Sequence, residues 1–210
     1  MSVFSAILLA AGESRRMGAI NKMTLPVAGK PLLRRTGELL LDLGLVETVV
    51  VLGHEQDTAR SLLRGLPLRS VFNPHYRDGQ MTSVHAGMAA LRQPCDGVLV
   101  CLADLPLLGV EDLERLMAAF ADCTTSVLVP TFQGRRGNPI VLAYEHRQAI
   151  LAGDRNLGCK RLIEKNPELV STVEMATDHV VFDLDTEQAY RQLQHRLGEA
   201  DQIPQASNYR

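Results

Sequence analysis

The sequence predicts an α/β fold: a mostly parallel, mixed central sheet between two layers of helices. Runs of β-branched and aliphatic residues, each too short for a helix, recur along the chain. Between them lie segments with apolar residues at helical spacing, and the connections are short. That alternation favours parallel strands joined by helical crossovers, with a ligand site at the carboxyl ends of the strands.

The first strand is the apolar run from Ala6 to Ala11, which ends in small residues and Gly12. Pro31 to Leu43 has helical spacing, with Pro31 suited to a first turn, and closes near Gly44. Val46 to Gly53 is a β-branched strand, and Gly53-His54-Glu55 opens a helix reaching about Leu63. Leu68 to Phe72 is a shorter strand before the turn-rich Asn73 to Gly79, and Gln80 to Leu91 is the next helix. Gly97 to Ala103 is the most apolar strand. A helix over Val110 to Ala121 and a strand over Ser126 to Thr131 follow. The turn Gln133 to Pro139 then leads into the strand Ile140 to Ala143. A further helix is expected from Gly153-Asp154 through Leu162, a strand from Val180 that ends in Asp183 and Asp185, and a last helix over Gln188 to Leu197. Residues 1–197 are read as one domain, and 198–210 as a loose polar tail.

Composition narrows the function. The 210 residues carry 22 basic and 24 acidic side chains, a net charge of −2, so nothing marks a nucleic-acid or membrane surface and any basic site must be local. The four cysteines, Cys95, Cys101, Cys123 and Cys159, form no paired metal spacing, and reduced, mostly buried thiols are expected. No run approaches membrane-spanning length, and no charged region precedes the first apolar run. A soluble, cytoplasmic protein is the expectation.

Three places carry chemistry. The loop after the first strand loads Ser14, Arg15, Arg16 and, after Asn21, Lys22 beside Gly12 and Gly18. Small residues let a ligand approach the backbone, free N–H groups can face an anion, and the cations can close over it, as a polyphosphate needs. This is neither the Walker pattern nor the three-glycine dinucleotide fingerprint, and a solvated basic turn is the competing reading. Asp104 stands at the end of the most apolar strand, too far before the next helix to cap it, and is suited to a hard divalent cation. Asp183 and Asp185 alternate along an extended segment, as shared metal binding would need, although Asp185 and Glu187 also suit a helix start. Thr82 and Ser83 open a helix, where they can cap it or face a nucleotide. Arg135 and Arg136 fit a solvated hairpin tip.

Leu-Ala-Ala-Gly-x-Ser-x-Arg-Met-Gly over Leu9 to Gly18, followed by Asn21-Lys22, Leu25-Pro26 and Gly29-Lys30-Pro31-Leu32, resembles the signature of the MobA-like nucleotidyltransferases. Within that group the chain is most similar to the molybdenum cofactor cytidylyltransferases. Ala103-Asp104-Leu105-Pro106 resembles the family's Asp-x-Pro metal motif. Gly79 through Gly87 resembles its nucleotide-site segment, with Met81 in place of a small residue and His85 where arginine is usual. Asp183-Leu184-Asp185-Thr186 resembles its Asp-x-Asp-Thr-Pro motif, with Glu187 for proline. Gly153 to Arg161 loosely resembles the Gly-Asp-x-Gly-x-Arg region.

The resemblance implies a three-layer Rossmann-like fold of the nucleotide-diphospho-sugar transferase type. It implies transfer of CMP from CTP to the phosphate of molybdopterin, with pyrophosphate released and the product used by xanthine-dehydrogenase-like molybdenum hydroxylases. Guanylyl-transferring relatives usually carry Leu-Ala-Gly-Gly where this chain has Leu9-Ala10-Ala11-Gly12, which favours a pyrimidine. The implied nucleotide-binding residues are Leu9, Ala10, Ala11, Gly12, Ser14, Arg15, Arg16, Lys22, Thr82 and Ser83, with Arg16, Lys22 and Asp104 catalytic. Mg²⁺, or Mn²⁺ in its place, is expected on Asp104 with Asp183 or Asp185, and Arg135, Arg136 and Asn138 are expected on the acceptor side. A redox enzyme like the nicotine-blue oxidoreductases and a non-catalytic molybdenum cofactor carrier are the competing readings.

Overall fold

The computed structural model describes residues 2–17, 20–153 and 166–198, with the Arg15 side chain outside that description. The expected helix from 154 onward and Cys159 therefore lie outside the described residues, as do Gly18 and almost all of the expected tail.

Strand β1 (Phe4–Ala10) is buried along its whole length. The two-residue strands β2 (Pro26–Val27) and β3 (Lys30–Pro31) pair as a small hairpin, and α1 (Leu32–Leu41) follows. Then come β4 (Glu47–Leu52), α2 (Gln56–Leu62), β5 (Arg69–Phe72), α3 (Gln80–Ala90), β6 (Gly97–Leu102) and α4 (Val110–Asp122). After α4 the chain forms β7 (Val127–Phe132), β8 (Arg135–Arg136), β9 (Ile140–Ala143), α5 (Arg147–Leu151), β10 (Val170–Glu174) and α6 (Glu187–Leu197).

The main sheet runs β10-β7-β9-β6-β1-β4-β5, with β8 paired to β7. The β1, β4, β5 and β6 pairings are parallel, as is β10 with β7, whereas β9 lies antiparallel between β6 and β7. The sheet is thus mixed, as expected. Alternation along β1 divides the core. Phe4, Ala6, Leu8 and Ala10 face the layer of α1, α4 and α6, and Ile7 and Leu9 face α3 and α5. Both faces are covered, which is why β1 and β6 read as continuous apolar runs rather than alternating ones.

Topology fixes where a ligand can go. From β1 the chain steps outward to β4 and β5, then returns to place β6 on the other side of β1. The crevice at this reversal opens at the carboxyl ends of β1 and β6, where helix connections diverge. The glycine loop follows β1 and Asp104 follows β6, so two of the three expected chemical segments meet there.

One expectation is corrected. Residues 180–185 are not a strand. Asp178–Val180 is a single 3₁₀ turn and the following segment has no ladder partner. Its placement comes from isolated bonds, Leu184 N–H to Asp104 C=O at 2.9 Å and Asn138 N–H to Val180 C=O at 2.8 Å. The segment lies along the site end of β6 without adding to the sheet. Helix α6 begins as expected, and its cap is Thr186, whose hydroxyl accepts from Ala189 N–H at 3.1 Å.

Candidate active site

The glycine loop is built from local turn chemistry. Ser14 takes a left-handed backbone conformation (φ 52°), its carbonyl accepts from Met17 N–H at 2.8 Å, and its hydroxyl accepts from Lys22 N–H at 3.3 Å. Asn21 accepts from Met23 N–H at 2.9 Å and donates to Glu55 at 2.6 Å, which ties the Lys22 turn to the start of α2. Lys22 is thereby aimed back over Gly12. Gly12 itself is exposed, and a Cβ added there would meet nothing within 4 Å, so its lack of a side chain serves open space in the cleft rather than packing.

Leu9, Ala10, Ala11, Gly12, Lys22, Ser83 and Asp104 line one cleft of about 280 Å³, together with Met23, Tyr76 and Gln80. An adjoining hollow of about 310 Å³ is lined by Ser14, Arg16 and Asp185, and shares Gly12, Lys22 and Tyr76 with the first. The first chamber is mostly apolar apart from its charged end, and the second is rich in charge. This division suits a nucleoside in one and its phosphates in the other.

Lys22 Nζ is the junction. It donates to Asp104 Oδ2 at 2.7 Å and to Asp185 Oδ1 at 2.8 Å, while the Arg16 guanidinium donates to the other oxygen of Asp185. Burial pulls the Lys22 pKa down, but the charges and hydrogen bonds of Asp104 and Asp185 outweigh it, and the net direction is upward. Burial likewise pushes Asp185 up, yet its bonds and charges with Lys22 and Arg16 hold it below the usual carboxylate range. Asp183 is pushed up, first by burial and then by the negative charges of Asp185 and Asp104. The two carboxylates of the late segment are therefore near one another but unequal, and Asp185 is the one paired with Lys22.

The donor chemistry fits a hard divalent cation. Asp104 Oδ1 is buried and meets no hydrogen-bond donor among the described residues, an orphan that a metal ion would satisfy. Among the described residues, no three His, Cys, Asp or Glu side chains form a ready-made cage. Two carboxylates completed by phosphate and water oxygens match what Mg²⁺ takes at phosphoryl-transfer sites.

The remaining expected residues separate. Ser83 lines the cleft, but Thr82, its neighbour on α3, faces a different hollow, and its hydroxyl bonds to the carbonyls of His75 and Gly79. The Thr82 side chain, expected at the nucleotide, therefore does not line this cleft. Arg135 and Arg136 are exposed on β8, where Arg135 borders a shallow hollow with Asp183, Phe182 and Arg196. Asn138 is half-buried at the turn against Val180. Cys101 is fully buried, its thiol pushed up to about 12 by burial, which makes it an inert core residue.

Sequence reasoning missed Tyr76. It lines both chambers, packs against Gly53 and lies under the Arg77 guanidinium, which bonds to Glu13 at 2.9 Å. The available signal was Gly53 at the end of β4. A Cβ there would come within 2.7 Å of both Ala11 O and Tyr76 Cγ, so only glycine lets the first loop and Tyr76 close on β4.

Comparison with known proteins gives the family and the fold. The sequence profile described as the MobA-like NTP transferase domain matches residues 6–171. A nicotine blue oxidoreductase from Paenarthrobacter nicotinovorans is 31% identical over 198 residues, covering 90% of this chain and 96% of that protein. The bifunctional protein GlmU of Azorhizobium caulinodans is 35% identical over 154 residues, which cover 68% of this chain but only 34% of GlmU. Among solved structures, a nucleotidyl transferase from Methanothermobacter superposes with a TM-score of 0.79 at 22% identity, over 93% of this chain and 98% of that one. No helix of the described residues is long and apolar enough to cross a membrane.

Proposed function

The chain belongs to the MobA-like NTP transferase family, and from that premise we propose that it transfers CMP from CTP to the terminal phosphate of molybdopterin, releasing pyrophosphate in the cytoplasm. The observation that carries this reading is the junction of Lys22, Asp104 and Asp185 at the mouth of the glycine loop. It brings cations for phosphate and carboxylates for a metal into one cleft.

In the reaction, an oxygen of the acceptor phosphate bonds to the α-phosphorus of CTP and the bond to the bridging oxygen breaks. The acceptor is already largely dianionic at neutral pH, since its second pKa is about 6, so the site needs no general base. Arg16 and Lys22 leave Asp185 and Asp104 to neutralise the departing pyrophosphate. Asp104 and Asp185 would hold Mg²⁺, which supplies Lewis-acid stabilisation of the phosphate charge when bound. Gly12 and the small residues before it let the nucleotide lie against the backbone. The choice of CTP is supported by Ala11 in place of the glycine usual in guanylyl-transferring relatives, because Ala11 lines the apolar chamber and carries a methyl that glycine lacks.

The test is purified protein with each of CTP, GTP, ATP and UTP, plus Mg²⁺ and molybdopterin, following pyrophosphate. Release with CTP and acceptor together is expected, and no release with any triphosphate overturns the proposal. One observation favours a second reading, the 31% identity, over nearly the full length of both chains, to a nicotine blue oxidoreductase. Dye-dependent oxidation of NADH or NADPH, followed by nicotinamide absorbance, is the outcome that would favour it.

A further inference from the structure

The Ser83 hydroxyl is placed at the cleft by its neighbours rather than by its own helix. Asn73, at the end of β5, is buried with 2% of its surface exposed, and every one of its side-chain hydrogen-bonding atoms is engaged. One side-chain atom faces His75 N–H at 2.9 Å, and because an N–H only donates, that atom is Oδ1. Nδ2 is thereby turned toward α3. It donates one hydrogen to Thr82 Oγ1 at 2.8 Å and the other to Ser83 Oγ at 3.0 Å.

This sorts two adjacent hydroxyls into different roles. Thr82 accepts from Asn73 and spends its own hydrogen on the carbonyls of His75 and Gly79, both at 2.8 Å. Ser83 also accepts from Asn73, is 4% exposed and lines the cleft. Among the described residues, no acceptor takes its hydroxyl hydrogen. With one lone pair taken by an amide N–H and its own hydrogen unclaimed, Ser83 can donate toward whatever fills the apolar chamber.

We infer that Asn73 is a positioning residue for nucleotide selection: it holds the Ser83 hydroxyl so that its unclaimed hydrogen is offered to an acceptor atom on the base edge. The inference rests on the nucleotidyltransferase reading of the same cleft. A base that presents a carbonyl oxygen or ring nitrogen at that place is accepted. One that presents an amino group there leaves the Ser83 hydrogen without an acceptor in the chamber and is disfavoured.

The test measures binding rather than turnover, by calorimetric titration of CTP·Mg²⁺ and GTP·Mg²⁺ into wild type, Asn73→Asp, Ser83→Ala and the double variant. Asn73→Asp keeps the shape but replaces a donor by an acceptor, which claims the Ser83 hydrogen. Each single variant is expected to lose CTP affinity on the order of tenfold, the scale of one buried hydrogen bond, and to narrow the difference between CTP and GTP. The double variant is expected to bind no more weakly than Ser83→Ala alone, because Asn73 acts through Ser83. Losses that add overturn the inference and leave Asn73 a merely structural residue, as does a CTP preference that survives Asn73→Asp. A wild-type protein that binds no triphosphate overturns the reading beneath it, an outcome distinct from either. Should Asn73→Asp not fold, ¹⁵N spectra of wild type and Ser83→Ala decide. The Asn73 side-chain amide signals are expected to shift when CTP·Mg²⁺ is added to wild type and not in Ser83→Ala, and unmoved signals in wild type overturn the inference.

Discussion

Lys22 Nζ lies 2.7 Å from Asp104 Oδ2, although the two residues are separated by 82 positions in the chain. Lys22 also holds Asp185 at 2.8 Å. In this arrangement Lys22 and Arg16 together balance the charge of the two carboxylates proposed for the metal, so the cleft neutralises itself before any ligand arrives. Removing the cation without removing the carboxylates, as in Lys22→Met, is expected to tighten Mn²⁺ binding in the absence of nucleotide. The scale is one to two orders of magnitude, from the about 1.5–3 kcal/mol of a hydrogen bond to a charged group. Electron paramagnetic resonance titration of free Mn²⁺ measures it, and an unchanged affinity removes the assignment of Asp104 and Asp185 as metal ligands.

Turnover is expected to move the opposite way. Lys22→Met and Asp104→Asn should each lower the rate of pyrophosphate release by about 10²–10³, the scale of losing one transition-state charge contact. Asp104→Asn keeps an oxygen that can accept from Lys22 Nζ but removes the charge of that pair, so its melting temperature is expected to fall and is measured beside the rate. Near-normal turnover in Asp104→Asn is the result that defeats the mechanism.

Two glycines at the cleft should respond oppositely to alanine. Gly12→Ala meets no protein atom within 4 Å, so the melting temperature is expected to hold while KM for the triphosphate rises. Gly53→Ala drives a methyl within 2.7 Å of the Ala11 carbonyl, a backbone atom that cannot swing aside, and of Tyr76. That variant is expected to lose about 1–3 kcal/mol of stability, the usual cost of overpacking, with nucleotide affinity falling as the glycine loop shifts. Thermal melts and initial rates on the same two proteins separate the cases.

How much of this is legible in the sequence depends on the physics of each element. β1 and β6 were readable because both faces are buried, so burial alone writes an apolar run. β10, the edge strand Val-Ser-Thr-Val-Glu, has only intermediate or exposed residues and carries no such signal. The pairs β2 and β3 are too short to show any period. Lys22 and Asp104 are legible because Lys22 stands in the loop after β1 and Asp104 two residues past β6, and topology delivers both to one crevice. The strand pattern around Asp185 misleads, since isolated bonds such as Leu184 N–H to Asp104 C=O and Asn138 N–H to Val180 C=O, not a ladder, hold its segment there. Thr82 and Ser83 were inseparable by type. Consecutive helical residues point about 100° apart, and which of them faces a cleft is decided by how the helix packs. Tyr76 and Asn73 sit in a turn-rich stretch whose composition announces a loop and nothing about what the loop holds.

Acid is expected to loosen the segment that carries Asp185 through a pair outside the cleft. Arg196 bonds both oxygens of Asp178, at 3.0 and 2.7 Å, and its guanidinium lies 4.6 Å over the Phe182 ring. The hydrogen bonds from Arg196 hold the Asp178 carboxyl below the usual range. A folded-state pKa below the unfolded value, about 3.9 for Asp, means the stabilisation is fully present well above that value. It drains away as the pH falls through it toward the folded-state pKa. The difference in melting temperature between wild type and Asp178→Asn should therefore be constant from pH 7 down to about 5 and close as the pH approaches 3. Melts across that range measure it, and a difference that does not narrow in acid would mean that Asp178 contributes through something other than its charge.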